Sequence, residues 1–275
     1  MFILADIGGT KTRIAGSVDL KSFAEPIILS TPREYSAGLT AIHAAAKQIA
    51  MAGQIDSMAA GIKSVVFADK RVPITAPQNI LTDWKDKPLA ADLEKLLETP
   101  SVQLENDTAL VGLGEAVYGA GKGFPIVVYQ TVSTGVNGVR ITSGRIDSSA
   151  QGFEIGGQYL SMSEPLQNLE SLVSGTAVTA RFGKHPKDLG ADHPVWEELA
   201  RITAFGVHNT ILHWSPDIVV LGGSMFNEVG ISVERVAENV KTIMRKFPKV
   251  PPIVHGSLGD FGGLWGGLAL LNQRS

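Results

Sequence analysis

The sequence predicts an α/β protein made of two related halves, and three observations carry that prediction. Each half opens on two apolar or β-branched segments joined by a turn of Gly and Thr, FILADIGG with TRIAGSV in the first and PIVVYQTVS with VRIT in the second. Such a hairpin departs from a plain dinucleotide-binding unit, in which a helix follows the first glycine turn. After each hairpin, stretches of helical periodicity alternate with short buried strands, the pattern of α/β architecture. The length of 275 residues, 44% of them hydrophobic, suits two modest cores, since single cores rarely grow beyond about 250–300 residues.

The elements follow in order. After the first hairpin, the alanine-rich stretch 36–52 predicts a helix with Leu39, Ile42, Ala46 and Ile49 on one face. MAAGIK (58–63) reads as a strand, and a region punctuated by Pro, Asn and Gly runs to Trp84. PLAADLEKLL (88–97) starts a helix on its proline, SVQLEN is a strand, and 107–118 reads as a helix capped by Asn106 or Asp107. In the second half the predicted helices are 168–181, 194–213 and 231–245, with the strand DIVVLGG (217–223) between the last two. FGGLWGGLALLNQ closes the chain as a tightly packed helix.

Composition narrows the function classes. With 24 basic and 27 acidic side chains the net charge is -3, and no basic run offers a footprint for nucleic acid or an anionic membrane. The absence of cysteine excludes disulfides, thiol catalysis and thiolate metal sites. Asp6 interrupts the apolar start too early for a signal peptide, and no apolar run approaches the roughly 18–20 residues of a membrane span. The expectation is a soluble, cytoplasmic protein.

Four segments carry chemistry. In Asp6-Ile7-Gly8-Gly9-Thr10-Lys11, a glycine turn frees backbone N–H groups to wrap a phosphate, with Thr10 and Lys11 as further donors. Asp6 at the same mouth suits a hydrated Mg²⁺ that also touches nucleotide phosphates. An ordinary hairpin turn capped by Asp6 reads the same way. A second turn, Thr131–Gly138 with Thr134, Gly135 and Asn137, makes a matching phosphate loop. In VVLGGS, Gly222 and Gly223 could let a base and ribose lie against the backbone, or merely make a tight strand-to-helix turn. In Glu105-Asn106-Asp107, Asp107 is either a helix cap or a carboxylate that takes a proton from an attacking hydroxyl, and Asn106 could serve neighbouring hydroxyls. Glu105 is expected to point elsewhere.

Together, DIGGTKTR, LENDTALVGLGEAVYGAGKG, TVSTGVNG, FEIGG, LESLVSGTA, VVLGGS and SLGDFGGLWGGLALL resemble, in content and order, the ROK family of repressors, open reading frames and sugar kinases. The resemblance covers nearly the whole chain. It implies a two-domain actin-like ATPase (ribonuclease-H-like) fold with ATP and sugar meeting in an interdomain cleft. Residues 1–106 plus 258–275 would form the small domain and 107–257 the large one. It implies Asp107 as catalytic base, sugar binding by Asn79, Asn106, Asp107, Glu154 and Glu170, and phosphate loops at Asp6, Gly8, Gly9, Thr10 and Lys11 and at Thr134, Gly135 and Asn137. Gly222 and Gly223 match the adenosine loop. ATP and Mg²⁺ are the implied cofactors, and a homodimer is open to such a chain although no seam is legible.

The chain also departs from the family. Gly157 stands where the EIGH motif has histidine, and GQYLSMSEPLQNLE is short for the zinc loop, so no zinc is expected and Gln158 or Tyr159 is left to supply the missing sugar contact. Lys63, Asp69 and Lys70, in place of the family's usual Gly/Pro turn, read as solvated. The expected activity is an ATP-dependent kinase acting on a hexose or N-acyl amino sugar, glucokinase-like by default. The alternative is a sugar-binding regulator with little turnover. Near-neutral charge and a start directly at the first strand speak against a DNA-binding form.

Overall fold

The computed structural model describes every residue except 52, 67–68, 75–80, 228 and 274–275. The chain forms two compact units: Met1–Val117 with Ser148–Gly152 and Asp260–Ser275, and Tyr118–Asp147 with Phe153–Gly259.

In the first unit, β1 (Phe2–Ile7) and β2 (Lys11–Ser17) form the expected antiparallel hairpin, and β3 (Ile27–Ser30) adds to β2. β4 (Ser57–Ile62) lies parallel to β1 and β5 (Val102–Asn106) parallel to β4, giving the order β3-β2-β1-β4-β5. One face of the sheet buries Ile3, Ile7, Ile14, Met58 and Ile62 against Ile42 and Ala46 of α1 (Tyr35–Ala50) and Leu89, Leu93 and Leu97 of α2 (Leu89–Leu97). Leu39 and Ile49, the other members of the predicted face of α1, are partly buried on the same core.

The second unit repeats this topology. β6 (Ile126–Val132) and β7 (Val136–Thr142) form the hairpin, β8 (Arg145–Ile146) adds to it, and β9 (Ile218–Gly222) and β10 (Ile253–His255) run parallel beyond β6. Val128, Val132, Val219 and Leu221 pack with Leu199 and Val207 of α6 (Val195–Trp214) and Val236 and Val240 of α7 (Val233–Ile243). The predicted helix 168–181 is two: α4 (Leu169–Val173) ends at Ser174, whose hydroxyl accepts the Ala177 N–H and caps α5 (Gly175–Phe182).

The unit boundary differs from the expected one at residue 106. Helix α3 (Asp107–Val117) belongs to the first unit, because it lies backbone to backbone on α8 (Gly262–Asn272). A Cβ on Gly114 would sit 2.6 Å from the Gly262 carbonyl oxygen, and one on Gly266 would collide with the Leu110 carbonyl. The return to the first unit likewise falls at Asp260 rather than at 258. Among the described residues, no helix is long and apolar enough to cross a membrane.

Candidate functional site

The functional candidates gather at the carboxyl ends of the parallel strands in each unit. In the first, the Gly8 N–H donates to the Lys11 carbonyl at 3.0 Å and closes the turn between β1 and β2. Thr31, the residue after β3, braces it: its N–H donates to the Thr10 carbonyl at 3.0 Å and its Oγ1 to the Gly8 carbonyl at 2.8 Å. Thr31 Oγ1 also meets Thr12 Oγ1 at 2.8 Å. Thr10 and Lys11 are exposed, and Gly8 and Gly9 half-buried. A signal for Thr31 was absent from the sequence because β3, four residues with alternate positions exposed, carries no clear pattern.

Asp6 pairs in register with Arg13 on β2 and Gly61 on β4. Its side chain is 15% exposed, with Arg13 Nη1 3.5 Å from Oδ2. Burial and the charge of Asp107 push the Asp6 carboxyl up to about 7, while Arg13 pulls it down and Asp260 adds to the rise. Gly263 of α8 leaves room for it, since a Cβ there would stand 3.0 Å from Asp6 Cγ.

Asp107 is the first residue of α3, and the Thr108 N–H donates to its Oδ1 at 2.7 Å. Burial holds its carboxyl above the ordinary range, while that N–H and the Lys63 ammonium favour the ionised form. The capping question resolves in favour of Asn106, whose Oδ1 accepts the Ala109 N–H at 3.1 Å and whose Nδ2 donates to the Ser64 carbonyl at 3.1 Å. Asp107 is thereby left with a charge the helix cap does not consume. Glu105 is buried and accepts from Lys70 Nζ at 2.8 Å and from the Asn106 N–H at 3.0 Å. Lys70 is therefore an ion-pair partner and Lys63 a neighbour of Asp107, which corrects the reading of both as merely solvated. Asn79 lies outside the described residues.

In the second unit, the turn between β6 and β7 is closed by the Ser133 N–H donating to the Gly135 carbonyl at 2.8 Å. It is seated on the start of α5, where the Gly175 N–H donates to the Ser133 carbonyl at 2.7 Å and Thr176 Oγ1 to the Thr134 carbonyl at 2.8 Å. Glu170 of α4 reaches the same turn, its Oε2 accepting the Val136 N–H at 2.8 Å. A Cβ on Gly135 would fall 2.6 Å from that oxygen. Asn137 Oδ1 accepts the Gly138 N–H at 2.7 Å. Gly222 ends β9, and Gly223 has φ +97, a backbone region that favours glycine; a Cβ there would also strike the Val132 carbonyl.

Glu154 precedes the 3-10 turn Ile155–Gly157, its carbonyl accepting the Gly157 N–H at 3.1 Å. A Cβ on Gly157 would meet nothing within 4 Å. The two residues offered as substitutes for histidine differ in their surroundings. Gln158 donates Nε2 to the Ile155 carbonyl at 2.9 Å and accepts Asn209 Nδ2 at 2.9 Å, while Tyr159 is 62% exposed.

Each unit thus presents a glycine hairpin turn at the end of its first strand, and the first adds two half-buried carboxylates, Asp6 and Asp107. Among the described residues, no three of His, Cys, Asp and Glu gather to hold a metal. Asp6, half-buried beside the glycine turn, does fit Mg²⁺, which keeps its waters and leans on substrate phosphates.

Comparisons with known proteins agree on one family. The ROK family profile matches residues 3–274. A fructokinase of Pediococcus pentosaceus is 28% identical over 201 residues, covering 68% of this chain and 69% of its own. An N-acetylgalactosamine kinase of Shewanella sp. (strain ANA-3) is 28% identical over 99% of this chain and 97% of its own. The crystal structure of a ROK family glucokinase from Streptomyces griseus in complex with glucose and AMPPNP superposes with a TM-score of 0.81 at 22% identity, over 100% of this chain and 99% of that one. The last likeness bears on the fold.

Proposed function

Because the chain belongs to the ROK family, with its two-unit actin-like ATPase fold, we propose that it is an ATP-dependent sugar kinase, acting on a hydroxyl of a hexose or N-acyl amino sugar with Asp107 as general base. The observation that carries this reading is the pair of half-buried carboxylates, Asp6 and Asp107, at the carboxyl ends of the parallel strands β1 and β5 of the sheet that also bears the Gly8–Lys11 turn.

The reaction needs positioning and charge stabilisation more than covalent help from the protein. Asp107 takes the proton from the sugar hydroxyl, whose oxygen forms a bond to the γ-phosphorus as the bond to the β,γ-bridging oxygen breaks and ADP departs. The raised affinity of Asp107 for a proton, set by burial, suits a base, and the Thr108 N–H and the Lys63 ammonium act in the opposite direction. Backbone N–H groups and the side chains of Thr10 and Lys11 are free to meet phosphate oxygens, and the Thr134–Asn137 turn offers the same chemistry. Asp6 would hold Mg²⁺ through water, where the ion supplies positive charge against the phosphates. Glu154, Glu170 and Asn106 are acceptors of the kind that fix sugar hydroxyls, and Asn79 joins them by family resemblance. By family resemblance Gly222 and Gly223 form the adenosine loop; within the chain their missing Cβ atoms make room for the Tyr129 hydroxyl and the Val132 carbonyl.

The test is ADP release with Mg-ATP across hexoses, ketohexoses and N-acetylated amino sugars, repeated with Asp107→Asn. Turnover with one sugar, cut by about 10²–10⁴-fold in the variant while sugar binding persists, is the expected result. Full activity in Asp107→Asn removes it as base. Silence across the panel with sugar binding retained turns the reading toward a sensor.

A further inference from the structure

Nothing in the sequence singles out Lys63; its place in the sheet does. Ile7, Ile62 and Asn106 are register partners across β1, β4 and β5. The residues that follow them are Gly8, Lys63 and Asp107, so Lys63 occupies the place between the first residue of the glycine turn and the carboxylate. Its backbone is fixed there. The Lys63 N–H extends the ladder to the Ile7 carbonyl at 3.2 Å, and the Ser64 N–H donates to the Ile62 carbonyl at 2.7 Å, a three-residue turn with Lys63 at its apex. Asn106 Nδ2 holds the next carbonyl, that of Ser64, at 3.1 Å.

Lys63 follows the last residue of β4, and its ammonium is close enough to Asp107 to favour the ionised carboxylate. Lys63 is half-buried, and among the described residues no carboxylate forms an ion pair with its ammonium. Lys70, by contrast, is engaged with Glu105. A half-buried ammonium next to a base, with no carboxylate of its own, is available to an anion. Lys11 stands exposed at the far end of the same turn, so the turn has a lysine at each flank.

We propose that Lys63 is a further catalytic residue, its ammonium binding an oxygen of the terminal phosphoryl group of ATP as that group passes to the hydroxyl deprotonated by Asp107. The inference rests on the kinase reading above. Transferred phosphoryl groups carry their charge on three equatorial oxygens, and a fixed cation aimed there acts where the charge sits.

The experiment compares AMPPNP, which carries the terminal phosphoryl group, with ADP, which lacks it, each with Mg²⁺ by titration calorimetry on the full chain. Lys63→Met should weaken AMPPNP about tenfold or more and leave ADP unchanged, and Lys63→Arg should restore most of the affinity. On the sugar found by the panel, Lys63→Met should lower kcat about 10²-fold with little change in sugar KM. Equal affinities of the variant and the unaltered chain for AMPPNP, or equal losses for both nucleotides, overturn the assignment. If Lys63→Met does not fold, Lys63→Gln carries the same comparison. If the unaltered chain phosphorylates no sugar, the kinase reading fails on that result alone, while selective loss of AMPPNP still supports the contact with the terminal phosphate and its absence overturns it.

Discussion

Asp6 couples the stability of the first unit to pH. Its carboxyl is raised from 3.8 to about 7 in the folded chain, so between those values the native state binds more protons than the unfolded one. Its contribution to stability is therefore greatest below 3.8 and is lost as the pH rises toward about 7. In metal-free buffer, Asp6→Asn should flatten the dependence of Tm on pH across that window and raise Tm at neutral pH; parallel curves for variant and parent would contradict the burial argument. Gly135 is a second such position. Alanine there pushes Glu170 Oε2 from the Val136 N–H, so sugar KM should rise while stability changes by less than about 1 kcal/mol, because the obstacle is the end of a flexible side chain. Steady-state kinetics beside thermal melts separate the two effects. Asp6, Gly8, Asp107 and Gly135 were legible in the sequence because glycine and acid at a strand end are unusual enough to mark a place. Thr31, Lys63 and Lys70 were not, because ordinary polar residues gain meaning only from the strand register that seats them.

Among the elements, the pair α3 and α8 is held closest, with glycines of each helix against the backbone of the other. Gly266→Ala aims a methyl group at the Leu110 carbonyl, which cannot swing away. It should destabilise the first unit by about 3 kcal/mol or more, seen as a lower urea midpoint. The terminal helix was legible from its glycines, yet its partner was not, since helix-on-helix choice is a matter of shape rather than period. The strands β1, β2, β4, β5, β6, β7 and β9 could be read from their apolar runs. β3 and β10 escaped because four and three residues at a sheet edge, partly exposed, have no room for alternation. The break at Ser174 was hidden within one helical period because its capping hydroxyl, at a residue only 1% exposed, looks like any other serine.

At the scale of the molecule, the two units share a strand order, and the first strand of each ends in a glycine turn. The position in β6 that matches Asp6 of β1, one residue before the end of the strand and beside a glycine of the next parallel strand, holds Thr131. The doubling was visible in the sequence as two hairpins; the division of charge between them was visible only in register. The chain passes between units near residues 117, 147, 152 and 259, and the first unit is assembled from segments at both ends of the sequence with Ser148–Gly152 added between them. Removing residues 260–275 should therefore unfold the first unit and spare the core of the second, which limited proteolysis with mass spectrometry can read as a surviving fragment within 118–259. The same discontinuity sets an order during synthesis. A chain leaving the ribosome can finish the second unit while the first still waits for the helix that walls in Asp6, so the carboxylate best suited to a cation is sheltered only after residues 118–259 have been made.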